Sequence, residues 1–530
     1  MKRTVMSILL AILVSGFECS GSDDTYPVLP VDATVNSYFS EAKPLEIGSE
    51  NYEADYASIK LPENRGKPAS RLIDIPYLRI RSNSKNPAEP IFCLSGGPGQ
   101  GNMHWDWESV RYLLAEHDLV AVGYRGVDGS IRLDCPEVTN AFKGDGDLLS
   151  DESMKSIGRA WSASARRLNA EGVDLDGYTM LETIEDNESV RRLLGYKRVS
   201  LLSGSYGTRV AYLYGLKHPE SIKRSVMISV NPPGRFVWDP QMIDAQLKHY
   251  SALWSKDSVM TSRTPDLYAA MRTVLNAMPR KWLFLSINPG KVRVVTFALL
   301  FHRNTAAQVF DAYVAAERGD PSGLALMSLA YDYVVPSLMT WGDLASKAVS
   351  ADFDPARDYS AGMDASRMPL GSPMGKLLWG SLRYGRWPMQ QLPEKFRKPQ
   401  PSNVQTLLLS GSVDFSTPAE FAKKELLPYL KNGRQVILSE CGHVNDVFYV
   451  RPENTRLILT SFYTTGKANT SMNLYVPMDF SVRWGFPLIA KIALGVIVFV
   501  GLVLVTVIVW LIRRRGKRKA SRVIARARKA

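Results

Sequence analysis

The sequence predicts an α/β fold in which helices cover both faces of a mostly parallel sheet, with a helical insertion and a membrane-spanning helix near the end. Strand-like and helix-like segments alternate along much of the 530 residues, which is typical of parallel strands joined by helices. Long helical patterns interrupt this alternation in the middle of the chain. Residues 492–512 carry no charge and are mostly apolar, and their number matches the roughly 20 residues that cross a bilayer.

Residues 1–21 are typical of an export signal, because two basic residues precede an apolar run at 5–14 and small residues follow it. We therefore expect the rest of the chain to leave the cytoplasm. Cys19 offers an alternative, lipidated N-terminus, although Glu18 stands where lipoprotein signals need a small residue. The polar, proline-containing stretch 22–50 is predicted to be a linker and lead-in segment.

Residues 51–234 are predicted to form the first part of the sheet domain. β-rich runs that end in turn residues predict strands at 56–61, 72–80, 90–96, 118–126, 198–204 and 225–234. The apolar spacing of 181–196 predicts an amphipathic helix, and a second helix is expected at 206–219.

Residues 235–403 are predicted to be an inserted helical cap, because strand signals give way to long helical patterns at 240–254 and 306–335. Sheet character returns in 404–466. In this second part of the sheet domain, strands are predicted at 404–414 and 434–443, with a helix beginning at Pro418 between them. Residues 467–491 are interpreted as a juxtamembrane connector.

The basic tail, 513–530, holds ten Lys and Arg and no acid, and it supplies most of the formal net charge of +13. By the positive-inside rule the tail is cytoplasmic, so the domain before the predicted span 492–512 is extracytoplasmic, either periplasmic or extracellular. A basic run can also bind nucleic acid, but its place beside an apolar span favours anionic lipid headgroups. We expect a single-pass membrane protein without a nucleic-acid partner.

The stretch SLLSGSYGTRVA, residues 200–211, runs from a predicted strand through small residues into a predicted helix. A nucleophile on a sharp strand-to-helix turn needs small neighbours, because the turn is strained. Ser205 is therefore the candidate nucleophile. The alternative is a purely structural turn.

A serine nucleophile on such a turn needs an acid and then a histidine later in the chain. Of the six histidines, only His443 follows both a late strand and an acid at a strand end, which is Asp414. Asp414 would hold the imidazole tautomer, and His443 would take the proton from Ser205. His218 is the competing base, but it stands at the far end of the helix that begins at the turn.

The glycine-rich stretch LSGGPGQG, residues 94–101, follows a predicted strand. Tetrahedral intermediates need backbone N–H donors at the developing oxyanion, and Gly97 and Tyr206 are the candidate donors. The alternatives are a hairpin turn or a phosphate cradle, although a phosphate loop needs a Lys and a Ser or Thr that are absent here.

No cofactor or metal is predicted. The loop 144–147, Gly-Asp-Gly-Asp, could suggest calcium, but it lacks the full series of ligands. The four cysteines form no metal-binding cluster, and an odd number remains if Cys19 leaves with the signal.

Taken together, the motifs SGGPG, GYRGVDGS, GSYGTR, GSVDFSTP and a late GH resemble the proline iminopeptidase and tripeptidyl-aminopeptidase-like branch of the α/β-hydrolases, from about Asp55 to Leu459. The family implies an α/β-hydrolase fold with a helical cap and a serine peptidase that acts on peptide N-termini. Ser205, Asp414 and His443 fall on its triad positions.

The chain departs from the family pattern at three positions. Ser95 replaces a histidine, Tyr124 replaces a glutamine, and Ser203 replaces a glycine. The family also places acids of the cap against the substrate's amino group, but no motif here identifies them. Asp332 and Glu317 are the candidates for this role.

We therefore expect a membrane-anchored, extracytoplasmic serine hydrolase whose partners are a small peptide or ester substrate and, through the C-terminal helix, the membrane. The first interpretation is an aminopeptidase. The alternatives are an esterase or amidase of the same fold and a non-catalytic binding ectodomain. The exact substrate and the oligomeric state stay open.

Overall fold

The structure, a computed structural model, describes residues 37–39, 42–144, 146–359, 361–364 and 368–527. The predicted signal, 1–21, lies outside these residues, as does Asp145 of the loop considered for calcium.

Within the described residues, ten strands form one sheet in the order β1-β3-β4-β6-β5-β7-β8-β11-β12, with β2 paired to β3. A separate hairpin is made by β9 and β10. The strands are β1 Ser37–Phe39, β2 Lys43–Ile47, β3 Glu50–Pro62, β4 Leu72–Ile80, β5 Ala88–Leu94, β6 His117–Val122, β7 Val199–Gly204, β8 Ile222–Ile228, β9 Lys281–Trp282, β10 Leu285–Ser286, β11 Gln405–Gly411 and β12 Gly433–Leu438.

The strands from β6 to β12 in this order pair in parallel, whereas β1 to β4 are joined by antiparallel pairs. Every residue of β7 is buried, as expected for a central strand with a layer on each face. In β5, Phe92 and Leu94 enter one apolar core while Ile91 and Cys93 enter the other. Because successive side chains of a strand point to opposite faces, β5 contributes to the apolar core on each side of the sheet.

The helices flank the sheet, build the insertion and form the anchor. They are α1 Trp107–Val110, α2 Pro136–Phe142, α3 Asp151–Ala170, α4 Met180–Leu193, α5 Tyr206–Lys217, α6 Pro240–Trp254, α7 Ser258–Arg263, α8 Leu267–Asn276, α9 Pro289–Leu299, α10 Arg303–Glu317, α11 Ser322–Val334, α12 Trp341–Asp352, α13 Pro373–Gly375, α14 Glu394–Arg397, α15 Ala419–Phe421, α16 Asn445–Tyr449, α17 Pro452–Thr465 and α18 Phe486–Ala527.

The cap consists of α6 to α14 and lies between β8 and β11 in the chain. The helical pattern predicted over 306–335 is two helices, α10 and α11, because Gly319 takes a φ of 92° and Pro321 follows it. Cap residues such as Phe236, Phe297 and Trp341 belong to the same apolar cluster as residues of the sheet. The cap is therefore packed as part of the domain.

The last helix, α18, is long and apolar enough over Phe486–Arg515 to cross a membrane, with a mean hydropathy of 3.2 over an 18-residue window. It begins six residues before the predicted span, because its first turns pack on the cap. Pro487 lies against Gly323 of α11, and Lys491 forms an ion pair with Asp320 at 2.6 Å.

Two segments predicted as connectors are more ordered than the sequence suggested. In the lead-in 22–50, β1 and β2 pair with β3. In the connector 467–491, Phe480 is 2% exposed and packs against Trp254 and Phe310. Neither segment has a regular apolar period, so their long-range partners were not visible in the sequence.

Candidate active site

The predicted nucleophile, Ser205, lies on the tight turn between β7 and α5. Its φ of 52° and ψ of −122° are uncommon for a residue with a side chain. Its N–H donates to Ile228 O at 2.9 Å, and its carbonyl accepts from Thr208 N–H at 3.0 Å and from the Thr208 hydroxyl at 2.6 Å. The neighbouring strand and the first turn of the helix thus hold the strained conformation in place.

This turn fits because the residues around Ser205 are small. A Cβ at Gly207 would lie 2.1 Å from Leu94 O, so only glycine lets α5 pass the end of β5. Ser203 is fully buried, and its hydroxyl donates to Val226 O at 2.9 Å. Ser203 stands where the family pattern has glycine, and its hydroxyl therefore has a hydrogen-bond partner on the neighbouring strand.

His443 and Asp414 are in contact. His443 Nδ1 lies 3.0 Å from each carboxylate oxygen of Asp414. Asp414 is fully buried, whereas His443 is 8% exposed and lines the same cavity as Ser205. Because Nδ1 faces the carboxylate, the other ring nitrogen, Nε2, remains for proton transfer.

Asp414 is held in its ionised form. Burial raises the pKa of a carboxyl group, but His443 and hydrogen bonds from Thr417 and Ser229 outweigh that effect, so the pKa of Asp414 lies below its ordinary value. Thr417 N–H donates to Oδ1 at 2.8 Å, and the Thr417 hydroxyl donates to Oδ2 at 2.9 Å. An ionised Asp414 can stabilise a protonated His443.

Two groups that the sequence did not reveal position the loop of His443. Phe301 O, just beyond α9, accepts from His443 N–H at 2.7 Å. Asp446 Oδ2 accepts from Gly442 N–H at 2.7 Å and from Arg303 N–H at 2.9 Å. Both connect this loop to the cap, and no local motif marks them.

The glycine-rich turn after β5 lies beside Ser205. A Cβ at Gly96 would be 3.2 Å from Ser205 Cβ and 3.8 Å from Oγ. Asn102 fixes the base of the turn, because its Oδ1 accepts from Ser95 N–H at 2.7 Å and its Nδ2 donates to carbonyls of β5 and β6 at 2.9 and 2.8 Å. The turn is thus tied to the sheet next to the nucleophile.

A single cavity of about 1360 Å³ brings most of the predicted residues together. Ser205, His443, Gly97 and Tyr206 line it, while Asp414 is buried behind the imidazole. The candidate catalytic residues follow the carboxyl ends of β5, β7, β11 and β12. Parallel strands present these ends at one edge of the sheet, which is where open α/β sheets place their sites.

The cavity wall is largely apolar and includes residues of the cap. Its apolar residues include Phe236, Trp238, Phe297, Phe301, Trp341, Leu344, Leu378 and Trp379. Four acids also line it, namely Glu46, Asp106, Glu108 and Asp134. Asp134 pairs with Arg132, which lines the cavity too.

Three residues weighed in the sequence lie elsewhere. His218 ends α5, and its Nε2 is 2.7 Å from Glu185. Asp332 pairs with Lys291 at 2.6 Å, and Glu317 is exposed at the end of α10. Among the described residues that line the cavity, none of these three occurs, so neither acid is placed to meet a substrate there.

Arg125, of the motif GYRGVDGS, is fully buried. It binds Asp186 through two nitrogens at 2.7 and 2.6 Å and donates to Glu63 O and Gly177 O at 2.6 Å each. The residue holds the loop before α4 against β3 and does not line the cavity.

Within the described part of the chain, no three His, Cys, Asp or Glu side chains are grouped to hold a metal ion. Cys93, Cys135 and Cys441 are free and buried.

Residues 89–291 match a family model described as the alpha/beta hydrolase fold. This chain has the α/β-hydrolase fold. The match begins in β5 and includes the glycine-rich turn, the nucleophile turn and the start of the cap. The fold prediction is confirmed, and the fold implies a hydrolase.

Curated relatives support the resemblance that the motifs of this chain predicted. A tripeptidyl aminopeptidase of Streptomyces lividans is 26% identical over 221 residues, which are 38% of this chain and 38% of the relative. A putative hydrolase of Escherichia coli K12, YuaR, is 28% identical over 166 residues, or 30% and 32% of the two chains. The chain therefore matches well under half of the length of either relative.

Among solved structures, MGS-M2, an α/β hydrolase enzyme from a Medee basin deep-sea metagenome library, aligns with a TM-score of 0.36 at 14% identity. The alignment covers 75% of this chain and 97% of that chain.

Proposed function

We propose that this chain is a membrane-anchored, extracytoplasmic serine hydrolase that releases residues from the N-terminus of short peptides. One observation carries the proposal: Ser205 and His443 line the same cavity, and Asp414 binds His443 from the buried side. The motif resemblance and the partial likeness to tripeptidyl aminopeptidases support a peptide substrate.

The proposed reaction follows from these positions. Asp414 holds Nδ1–H, so Nε2 of His443 accepts the Ser205 proton as Oγ attacks the scissile carbonyl. The N–H groups of Gly97 and Tyr206 stabilise the oxyanion of the tetrahedral intermediate. Protonated His443 then donates to the leaving amine, which leaves an acyl-enzyme that water hydrolyses by the same steps.

The cavity suits a small substrate with a cationic end. Its volume of about 1360 Å³ exceeds the usual range for small-molecule sites, roughly 300–1,000 Å³, and leaves room for several amino-acid residues. Two of the four acids in its wall, Asp134 and Glu108, pair with arginines. Among the described residues Glu46 and Asp106 form no ion pair, and they favour a protonated amino group because a negative charge attracts a positive one into a cleft.

The location rests on sequence and helix length. Residues 1–21 have the pattern of an export signal, and α18 is long and apolar enough to cross a bilayer. By the positive-inside rule, the unopposed charges of 513–530 favour a cytoplasmic tail, which would put the cavity on the outside.

The first test is labelling of the full-length chain in detergent with a fluorophosphonate, read by intact mass. Ser205 Oγ would bond to phosphorus, fluoride would leave, and the hydroxyl proton would pass to His443. We expect one adduct on the wild-type chain and none on Ser205→Ala. If the folded wild-type chain stays unlabelled, the proposal is wrong and a binding ectodomain becomes the better interpretation.

The second test compares aminoacyl and tripeptidyl amides with free and with acetylated N-termini. An aminopeptidase of this kind should cleave the free form at least ~10-fold faster, because an amine that pairs with a carboxylate contributes about 1.5–3 kcal/mol. Equal rates on both forms would contradict N-terminal recognition while leaving the serine hydrolase intact.

An esterase is the second candidate, and the apolar wall of the cavity favours it. Aromatic and aliphatic side chains such as Trp238, Phe297 and Leu378 would suit an acyl chain better than a charged peptide. Acyl esters belong in the same panel. If they are cleaved much faster than any free peptide amide, the aminopeptidase proposal is replaced by an esterase.

A further inference from the structure

The N-terminal end of the cap helix α12 lies on the glycine-rich turn of the candidate site. Gly99 N–H donates to Asp343 Oδ2 at 3.0 Å, and Thr340 N–H donates to Gly99 O at 2.8 Å. A Cβ at Gly99 would lie 3.0 Å from Thr340 O. The helix and the turn are therefore in direct backbone contact, two residues from Gly97.

Asp343 and Lys347 form an ion pair one helical turn apart, and both side chains are fully buried. Lys347 Nζ also donates to Arg125 O at 3.2 Å and lies 5.5 Å from the centre of the Tyr124 ring. Removing two charges from water costs several kcal/mol per ion, so a buried pair gives little net stability. Stability alone therefore does not account for it.

The same cluster reaches the other end of the turn. The Tyr124 hydroxyl donates to Ser95 O at 3.1 Å, and the rings of Tyr124 and Tyr206 meet edge to face at 5.7 Å between centroids. Contacts at Ser95 and Gly99 thus bracket Gly97. Two departures from the family pattern, Ser95 and Tyr124, belong to this cluster.

We propose that Asp343 is a positioning residue for the oxyanion donors, which holds the turn through Gly99 N–H, while Lys347 compensates the buried charge of Asp343. This inference rests on the proposed function. A donor to the oxyanion is worth roughly 10²–10³ in kcat when correctly aimed, and small displacements of reacting groups lower the rate steeply. The pair acts through the turn and does not touch substrate.

The arrangement also links the cap to the chemistry. Helix α12 lines the cavity through Trp341, Leu344, Ala345 and Ala348, as does Thr340 at its N-terminus. A substrate that contacts this face would contact the same helix that holds the glycine-rich turn in place. The cap would thus orient the backbone N–H donors of the oxyanion site and also enclose the substrate.

Two charge-free double variants test this in the full-length chain. Asp343→Asn with Lys347→Met keeps an oxygen for Gly99 N–H, whereas Asp343→Leu with Lys347→Met has similar volume and no acceptor. We expect the first to label with fluorophosphonate within about threefold of wild type. We expect the second to show labelling and kcat lowered about 10–100-fold, with KM changed less than about threefold.

Circular dichroism and thermal melting establish that each variant is folded, and Asp343→Ala with Lys347→Met serves as a second variant without an acceptor. Equal labelling of the Asn and Leu variants would overturn the inference, as would a loss confined to KM. If every variant without an acceptor at 343 fails to fold, the side chain serves folding and the inference is wrong. If folded wild type fails to label, the proposed function itself is wrong.

Discussion

At the scale of single residues, the candidate site depends on a backbone that few side chains allow. Ser205 takes a positive φ, and its energetic cost, of order 1–3 kcal/mol, persists only where surroundings enforce it. Gly207 and the bond to Ile228 O provide that enforcement. The Ser205 hydroxyl forms no capping hydrogen bond with the helix that it precedes.

The substitution Gly207→Ala tests this packing. The new methyl would meet Leu94 O at 2.1 Å, so either α5 or the end of β5 must move. We expect a loss of roughly 3 kcal/mol in the free energy of unfolding, measured by urea denaturation, and loss of fluorophosphonate labelling. Gly362→Ala is the matched control, because Gly362 also lies in a helical turn without a positive φ and nothing lies within 4 Å of its Cβ position.

The substitution Asp414→Asn tests the tautomer role. An amide can accept and donate but carries no charge, so it no longer stabilises a protonated His443. We expect kcat to fall by on the order of 10³–10⁴ while the chain stays folded. Activity within tenfold of wild type would show that His443 does not depend on this carboxylate.

A pH experiment tests a carboxyl group behind the nucleophile helix. Burial raises the pKa of Glu188, but hydrogen bonds from Arg191, Tyr214 and Arg192 outweigh it and lower the pKa to about 2. A depressed folded pKa stabilises the fold above the ordinary value of 4.5 and loses that effect as pH falls towards about 2.

In Glu188→Gln we expect a smaller drop in the free energy of unfolding between pH 5 and pH 3 than in wild type, measured by denaturant titration at each pH. An equally steep drop would mean that other carboxyl groups carry the acid sensitivity.

At the scale of elements, the connector 467–491 before the predicted membrane span packs against the cap. Arg303 donates to Pro477 O at 3.0 Å, Phe480 is buried between α6 and α10, and Phe486 starts a helix whose first turns pack on α11. The connector therefore packs on the cap before it reaches the predicted span.

Chains ended after residue 479 or after residue 495 should differ in stability. The shorter chain loses four buried apolar residues, Phe480, Phe486, Ile489 and Ala490, and exposes the face of α11 that they cover. We expect its free energy of unfolding to be lower by roughly 5 kcal/mol. Identical melting temperatures would show that the connector contributes nothing to the fold.

At the scale of the whole molecule, the anchor and the cavity are joined through the cap. Helix α18 contacts α10 and α11, and other cap helices line the cavity. We expect the full-length chain to stay in the membrane fraction after alkaline extraction, whereas the chain ended after 495 is released. Release of the full-length chain would contradict a transmembrane anchor.

The sequence by itself determined the α/β class, the strands around the site and the apolar span, because each has a local signature of period, turn residues or length. It also singled out Ser205, Asp414 and His443 at strand ends, and parallel pairing then brings such ends to one edge of the sheet. Gly97 and Tyr206 also follow strand ends, and their donor role stays a prediction.

Only the tertiary structure decided how these parts meet. Phe301 and Asp446 at the histidine loop, Asp343 and Lys347 under the glycine turn, and the burial of Phe480 depend on partners more than a hundred residues away along the chain, or on the packing of the cap. The period of a residue pattern indicates a helix or a strand, but it does not indicate which distant part of the chain packs against that element. The acids expected from the cap illustrate this. Asp332 does not line the cavity, whereas Glu46, from β2 near the N-terminus, does.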